Sequence, residues 1–252
     1  MEINVWMFLG VVAVGIVAGF INTLAGSGSL LTLPLLMFLG LPANMANGTN
    51  RIGILFQSIV GSESFRRQKV LDIRTGLIYG LPSLAGSVAG ALLALYFGDV
   101  AMKQAIGILL IVMFFLILFK PEVWLKDQAG KAERKPKAIN LVIFFFIGVY
   151  GGFVQAGVGF FLLAALVIGA GVDLVRANAL KVFLVLVYTP VALGIFMLYK
   201  QVDYKLGIIL ALGNAIGAFL GSKVAVSWGP KFIRIVLLIA ILASALKLMG
   251  LF

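Results

Sequence analysis

Amide, hydroxyl and cationic side chains are concentrated at a few places inside otherwise apolar stretches of this sequence. Asn47 and Arg51 are four residues apart and Asn47 and Asn50 three apart, so on a helix they share one face. Asn178 and Lys181 repeat the three-residue spacing. Such side chains donate hydrogen bonds to an oxyanion without trapping it permanently. The pattern therefore predicts reversible binding of a small anion.

Glycine-rich breaks lie beside both polar groups. Residues 26–29 read Gly-Ser-Gly-Ser and residues 157–159 read Gly-Val-Gly. A helix that begins after such a break presents up to four unpaired amide N–H groups and the positive end of its dipole, and both attract anions. We expect helix starts after Gly28 and Gly159 to face each other near the middle of the bilayer, each contributing ~0.3–2 kcal/mol. The candidate substrate-binding residues are Asn22, Gly26, Ser27, Gly28, Ser29, Asn47, Thr49, Asn50, Arg51, Gln155, Gly157, Gly159, Asn178 and Lys181.

Several of these residues also have simpler structural explanations. Gly-x-Gly in a membrane helix often serves close helix packing, and this explanation remains open for Gly26 and Gly28. Arg51 and Lys181 could instead extend to a membrane interface, as could Arg176. For a further set of glycines we predict packing rather than binding: Gly76, Gly80, Gly86, Gly90, Gly213, Gly217 and Gly221.

The residue types that are missing restrict the chemistry further. The 252-residue chain has no cysteine and no histidine, which excludes disulfides, thiolate nucleophiles and Cys/His metal sites. The acidic residues near the apolar stretches lie at their ends, so no buried carboxylate chain for proton relay is predicted. No Walker-type phosphate loop is present. We therefore expect no catalytic residue, no metal site and no cofactor.

The composition places the chain in a membrane. Hydrophobic residues make up 62% of the chain and charged residues 12%, too little charge to cover the surface of a soluble domain. Most apolar stretches approach the ~20 residues that cross a hydrocarbon core of ~30 Å. The net charge of +11 comes mainly from Lys and Arg between these stretches, which indicates cytoplasmic loops rather than nucleic-acid binding. The apolar stretches are approximately 5–24, 29–41, 44–64, 75–97, 101–119, 139–157, 160–172, 174–199, 206–226 and 232–252.

The chain divides into two similar halves. The basic segment 120–138 is the only long polar stretch and is interpreted as a cytoplasmic linker between a first transmembrane repeat, 1–119, and a second, 139–252. Glycines and polar residues match between the halves at an offset of 131 positions, as Gly26 does with Gly157. Internal repeats are common in secondary transporters. We therefore predict a single all-α polytopic membrane domain with two repeats of four to five helical segments each.

The distribution of basic residues favours repeats of opposite orientation. Residues 65–74 contain four basic residues, whereas the corresponding residues 199–206 contain two. The bias reverses at the next connection, where residues 97–103 contain one and residues 223–234 contain three. This reversal indicates inverted repeats. The short stretches that follow the glycine breaks are then tilted crossings, or re-entrant half-helices in an arrangement of eight full spans.

The sequence resembles the sulfite exporter family of the TauE/SafE type. The resemblance is carried by the glycine-rich segment from Gly26, the apolar run that contains Pro34 and ends in Gly-Leu-Pro42, and the segment 46–50, Ala-Asn-Gly-Thr-Asn. The basic run 66–69, followed by Val-Leu-Asp, is also similar to the family pattern. The likeness covers nearly the whole chain. It implies an inner-membrane permease for sulfite, sulfonates or related organosulfur anions, with the glycine stretches and residues 46–50 lining the path.

The expected function is transport of a small sulfur-containing anion by alternating access between the two repeats, in a multi-pass protein of the cell inner membrane. The expected partners are this anion and the lipid bilayer, with no nucleic acid, and a homodimer is one option. The alternatives are an anion channel, a permease for a non-sulfur organic anion and a non-transporting membrane scaffold. A membrane-embedded enzyme would need a nucleophile, base or metal that this sequence does not supply.

Overall fold

The computed structural model describes residues 4–106, 108 and 137–248, with side chains described up to residue 228, and every regular element within these residues is helical. α1 spans Val5–Ala25, α2 Ser29–Phe38, α3 Ala43–Arg67 and α4 Ile73–Tyr96. After residues 99–106, which are also helical, α5 spans Ala138–Phe153, α6 Val158–Ala164, α7 Leu174–Leu198 and α8 Tyr204–Leu248. A π-helical turn, Ala165–Gly169, extends α6. The prediction of an all-helical chain is confirmed for the described residues.

Four of the described helices are long and apolar enough to cross a membrane: α1, α4, α7 and the part Tyr204–Trp228 of α8. α3 is equally long, with 25 residues, but it carries polar side chains such as Asn47, Asn50 and Arg51, which are buried within the protein. Surrounding such side chains with other helices avoids the cost of exposing them to hydrocarbon. α2 has only 10 residues, or about 15 Å, too short to cross alone. The chain is a membrane protein whose polar helix is enclosed by apolar ones.

Glycines allow these helices to pack in close pairs. α1 packs along α8, and α4 packs along α5. A Cβ atom on Gly86 or Gly90 of α4 would lie 2.0 or 1.9 Å from a carbonyl oxygen of α5, and one on Gly217 of α8 would lie 2.1 Å from the carbonyl oxygen of Ile16. Small residues permit such close approach in membrane interfaces. The predicted packing role of these glycines is confirmed, and the other glycines of that set also face a neighbouring helix.

One predicted boundary was wrong, and one segment is not described. The sequence predicts separate stretches at 206–226 and 232–252, whereas α8 is one continuous helix through Leu248. Pro230 does not end the helix because a proline removes a single intrahelical hydrogen bond, which membrane helices tolerate. The predicted linker 120–138 lies outside the described residues except for its last two positions, as does most of the stretch 101–119.

Asp72 fixes the start of α4. Its Oδ1 accepts hydrogen bonds from the backbone N–H groups of Arg74 at 2.9 Å and Thr75 at 3.3 Å. Its Oδ2 accepts the Thr75 hydroxyl at 2.6 Å. The hydrogen bond from the Thr75 hydroxyl is the main cause that lowers the pKa of Asp72 below its ordinary value of 3.8. The carboxylate therefore acts as an N-cap that is stabilised in its ionised form.

Asp72→Ala is expected to lower the free energy of unfolding by ~1 kcal/mol at neutral pH, because the lost N-cap is not replaced. Thermal unfolding of the purified variant measures this. Asp72→Asn is the matched control and should be close to wild type, since asparagine caps equally well. A carboxylate with a lowered folded pKa stabilises fully above its unfolded pKa, and this contribution is lost as the pH falls through the folded pKa. The difference in the free energy of unfolding between Asp72→Ala and wild type should therefore shrink in acid. Equal stability of the two proteins at neutral pH would contradict the role of Asp72 as an N-cap.

Candidate functional site

The two glycine-rich helix breaks meet inside the protein. α1 ends at Ala25, Gly26 adopts φ +78°, and α2 begins at Ser29. α5 ends at Phe153, Gly157 adopts φ +70°, and α6 begins at Val158. A Cβ atom on Gly159 would lie 2.2 Å from the Cα atom of Gly26, so the two backbones are in direct contact at these positions. The predicted breaks are confirmed, but α6 begins before Gly159, which lies in its first turn.

Lys181 of α7 binds the end of α1. Its Nζ donates hydrogen bonds to the backbone carbonyl oxygens of Asn22 at 3.0 Å and Thr23 at 2.8 Å. A third bond, at 2.6 Å, goes to Oδ1 of Asn178, one turn earlier in α7. The side chain of Lys181 is 2% exposed, so it does not reach a membrane interface. The ammonium group instead neutralises the negative end of the α1 dipole.

Arg51 of α3 binds the end of α5 in a corresponding way. Its Nη1 donates to the backbone carbonyl oxygen of Gly151 at 3.1 Å and to Oε1 of Gln155 at 3.3 Å, and its Nη2 donates to the carbonyl oxygen of Gly152. The guanidinium carbon lies 4.7 Å from the centroid of the Phe196 ring, in a cation–π contact. Arg51 is fully buried, so it too does not extend to an interface.

Asn22 and Ser27 lie where α1 gives way to α2. The Asn22 side chain donates to Oε1 of Gln57 at 3.1 Å and accepts the Gly28 N–H at 3.3 Å. One of the amide groups expected to bind an anion at the start of α2 is therefore engaged by the protein itself. The Ser27 hydroxyl is buried and has no hydrogen-bond partner among the described residues. Ser29, the first residue of α2, is also buried.

The polar side chains at positions 47, 49 and 50 of α3 contact two helices and one loop. Asn47 Nδ2 donates to the carbonyl oxygen of Phe153, the last residue of α5, at 2.7 Å. Asn50 Oδ1 accepts the hydroxyl of Thr32 in α2 at 2.6 Å. Thr49 accepts the N–H of Asp203 at 2.8 Å, so it ties α3 to the start of α8. Thr49 thus makes its contact apart from the helix breaks, whereas Asn47 and Asn50 contact the helices that the breaks interrupt.

Unused donors remain in the candidate set after these contacts are counted. Within the described residues, buried groups without an acceptor include the Ser27 hydroxyl, Asn50 Nδ2, Arg51 Nε and Asn178 Nδ2. A buried polar group without a partner costs ~1–3 kcal/mol, and native proteins contain few of them. A ligand with several acceptor oxygens would satisfy them. These four donors are thus the groups that an oxyanion requires, whereas the unpartnered Oδ1 of Asn47 is an acceptor.

The charge of this region is positive. Neither Arg51 nor Lys181 donates to a carboxylate in the described part of the chain, since their acceptors are carbonyl and amide oxygens. Glu63, the acidic residue of α3, instead pairs with Arg66 and Arg67 at the helix end. The helix ends that these two cations contact carry only about −0.5 elementary charge each. The remaining positive charge attracts an anion in a region of low dielectric constant.

Three residues that the candidate set omits also belong to this region: Thr32, Gln57 and Tyr188. Thr32 and Gln57 are polar residues within apolar stretches, the same signal that identified Asn50 and Asn22, their partners. The Tyr188 hydroxyl accepts Gln155 Nε2 at 2.9 Å. In the sequence, only the phenol hydroxyl of Tyr188 points to this role, because such a hydroxyl needs a hydrogen-bond partner when it is buried.

Comparison with known proteins places these features in a family. Residues 11–248 match the family model described as sulfite exporter TauE/SafE. The chain is 33% identical over 234 residues to the probable membrane transporter protein ORF9 of Sinorhizobium sp, covering 93% of this chain and 89% of that protein. It is 31% identical to the probable membrane transporter protein YfcA of Escherichia coli K12, covering 96% and 90%. A probable membrane transporter protein of Haemophilus influenzae is 29% identical, covering 93% and 91%. No solved structure matches the chain.

Proposed function

The chain belongs to the sulfite exporter TauE/SafE family of membrane transporters, and from this premise we propose that it is a permease for a small sulfur-containing oxyanion such as sulfite or a sulfonate. The observation that carries this proposal is the group of unused buried donors beside two cations that have no carboxylate partner among the described residues. Sulfite and the sulfonate group each present three oxygens and negative charge to such donors. The proposed membrane is the cell inner membrane, crossed several times.

In the proposed site, each group has a distinct role. The Ser27 hydroxyl, Asn50 Nδ2, Asn178 Nδ2 and Arg51 Nε donate to the oxygens of the anion, since these atoms have no other acceptor in the described part of the chain. Lys181 contributes positive charge without a direct hydrogen bond, because its three bonds are already made. Gly26 and Gly159 keep the two breaks close enough for both halves to take part.

The proposal also includes two homologous repeats, supported by the backbone. The six described residues with positive φ form three pairs at an offset of 131: Gly26 with Gly157, Gly40 with Gly171, and Lys69 with Lys200. α3 and α7 start and end at the same offset, and so do the starts of α4 and α8. Unusual φ values are rare in non-glycine residues, so the matching of the two lysines is informative. The reversed bias of basic residues supports opposite orientation of the repeats.

The burial of the site supports alternating access as the proposed mechanism. Asn47, Asn50, Arg51 and Asn178 have no exposed side-chain surface, so an anion enters only if helices move. The contacts that join the halves across the site include hydrogen bonds to helix ends and one glycine crossing. These can be broken and remade, and we propose that one repeat rocks against the other around them.

A ligand screen with a flux assay tests the function. Purified protein is heated with sulfite, methanesulfonate, sulfate, acetate or chloride, and a bound anion raises the unfolding temperature by mass action, ~2.7 kcal/mol at 100 times its Kd. We expect sulfite or the sulfonate to stabilise, and the same anion to cross liposomes that contain the protein. Stabilisation by acetate alone would indicate a non-sulfur substrate, and ohmic currents would indicate a channel. The absence of both binding and flux would contradict a transporter and favour the scaffold.

A further inference from the structure

The Lys181 ammonium is coordinated as a small cation would be. Its three N–H donors meet three oxygens, two from the end of α1 and one from Asn178, at 2.6–3.0 Å. An ammonium has three donors, so all of its hydrogen-bonding capacity is used. The oxygens are neutral carbonyl and amide groups, and carbonyl oxygens also coordinate monovalent cations such as Na⁺ and K⁺. The arrangement is thus a cation site whose occupant is attached to the chain.

The end of α1 needs a cation at this place. The last carbonyl groups of a helix have no intrahelical partner, and the dipole adds partial negative charge there. Thr23 is fully buried and Asn22 is half-buried, so water does not freely replace a lost partner. In transporters with discontinuous helices, such helix ends coordinate bound cations. A tethered ammonium performs the same electrostatic role without a bound ion.

We propose that Lys181 is a built-in cation that occupies a monovalent-cation site formed by the end of α1 and Asn178, and that this site takes up a free small cation when the ammonium is removed. The inference goes beyond the transport of an anion and holds whichever anion is carried. It explains why a buried lysine has no carboxylate partner among the described residues: its counter-charge is the helix end. It also means that the wild-type protein needs no free cation at this place.

Arg51 is not equivalent in this respect. Its planar guanidinium spreads its donors over two carbonyl groups and Gln155 and also packs on Phe196. A spherical ion cannot reproduce that fork-shaped set of contacts, whereas it can replace the compact ammonium of a lysine. The prediction of cation uptake therefore concerns the α1 end only.

The test is chemical rescue of Lys181→Ala. The purified variant and wild type are heated in methylammonium, potassium, sodium or choline chloride at equal ionic strength, with the unfolding temperature as readout. We expect the unfolding temperature of wild type to be the same in all four salts. Lys181→Ala should be less stable in choline, which is too large for the site, and should gain about 5–10 °C in saturating methylammonium or potassium. A merely structural loss of packing would not depend on which cation is present.

Two variants serve as controls. Lys181→Met fills the space with an uncharged group and should not respond to the identity of the cation. Arg176→Ala removes a cation from the exposed surface of the same helix, where Arg176 pairs with Asp173, and should also be insensitive. Neither control alters the three oxygens of the site.

Equal unfolding temperatures of Lys181→Ala in all four salts would overturn the proposal. If Lys181→Ala is not recovered folded, Lys181→Ser replaces it in the same titration, since its hydroxyl adds an oxygen ligand. If neither variant is recovered folded in any of the four salts, the proposal is also overturned, because it expects an added cation to restore the fold. These outcomes are read without any anion substrate, so they are independent of the ligand screen.

Discussion

Asn178→Asp is expected to weaken anion binding roughly 100-fold or more, about 3 kcal/mol, while the protein stays folded. Asn178 Oδ1 accepts the Lys181 ammonium at 2.6 Å, and aspartate keeps an oxygen in that place. The unused Nδ2 donor becomes a second carboxylate oxygen. The neighbouring ammonium keeps this carboxylate ionised, so the site loses one donor and gains a negative charge that offsets Lys181. The apparent Kd from the thermal titration and the initial rate of flux in liposomes measure the effect.

Asn140→Asp provides a matched control for that substitution. Asn140 is also buried, and its Nδ2 has no partner within the described ranges of the chain. It lies, however, in the first turn of α5, where a negative charge is favourable. The Asn140→Asp variant should bind and transport the anion as wild type does. If Asn178→Asp transports at the wild-type rate with unchanged Kd, the anion does not bind beside Asn178. If both variants lose transport equally, the loss reflects buried charge in general and not this site.

The position of the helix breaks could be predicted from the sequence because glycine has a local effect. Gly26 and Gly157 adopt positive φ, a conformation that other residues rarely take. Gly26 lies at the end of α1, and Gly157 immediately precedes α6. The polar residues of α3 were also predictable as buried, since hydrocarbon does not tolerate them. The clustering of Asn47, Asn50 and Arg51 on one helix face follows from their spacing alone.

The partners of the two cations could not be predicted. Lys181 contacts residues 158 and 159 positions earlier in the chain, and Arg51 contacts residues 100 to 104 positions later. Such contacts depend on how α1 and α5 end against α7 and α3, which no local pattern encodes. A backbone carbonyl group, moreover, is present at every residue, so its use as a ligand leaves no mark in the sequence. The sequence positions of Arg51 and Lys181 therefore indicated positive charge at the site, but not that helix ends offset part of it.

Gly159→Ala is expected to destabilise the protein by at least about 3 kcal/mol, the upper part of the range for overpacked cores. The added Cβ atom would lie 2.2 Å from the Cα atom and 3.0 Å from the carbonyl oxygen of Gly26. Both are backbone atoms, so no side chain can rotate away, and the two helix breaks must separate. The unfolding temperature in detergent should fall by about 6–12 °C. The proposed site should lose anion affinity with it, because Ser27 moves relative to Asn178.

Gly194→Ala separates this clash from the general effect of replacing glycine in a helix. Gly194 lies in α7, and among the residues that the structure describes a Cβ atom there would meet nothing within 4 Å. Alanine has less conformational freedom to lose on folding, so this variant should be as stable as wild type or more stable by ~0.5–1 kcal/mol. Opposite signs for the two substitutions would trace the cost to the contact between the breaks. An unchanged unfolding temperature for Gly159→Ala would mean that the two backbones do not touch, and the donors of the two halves would then not converge on one anion.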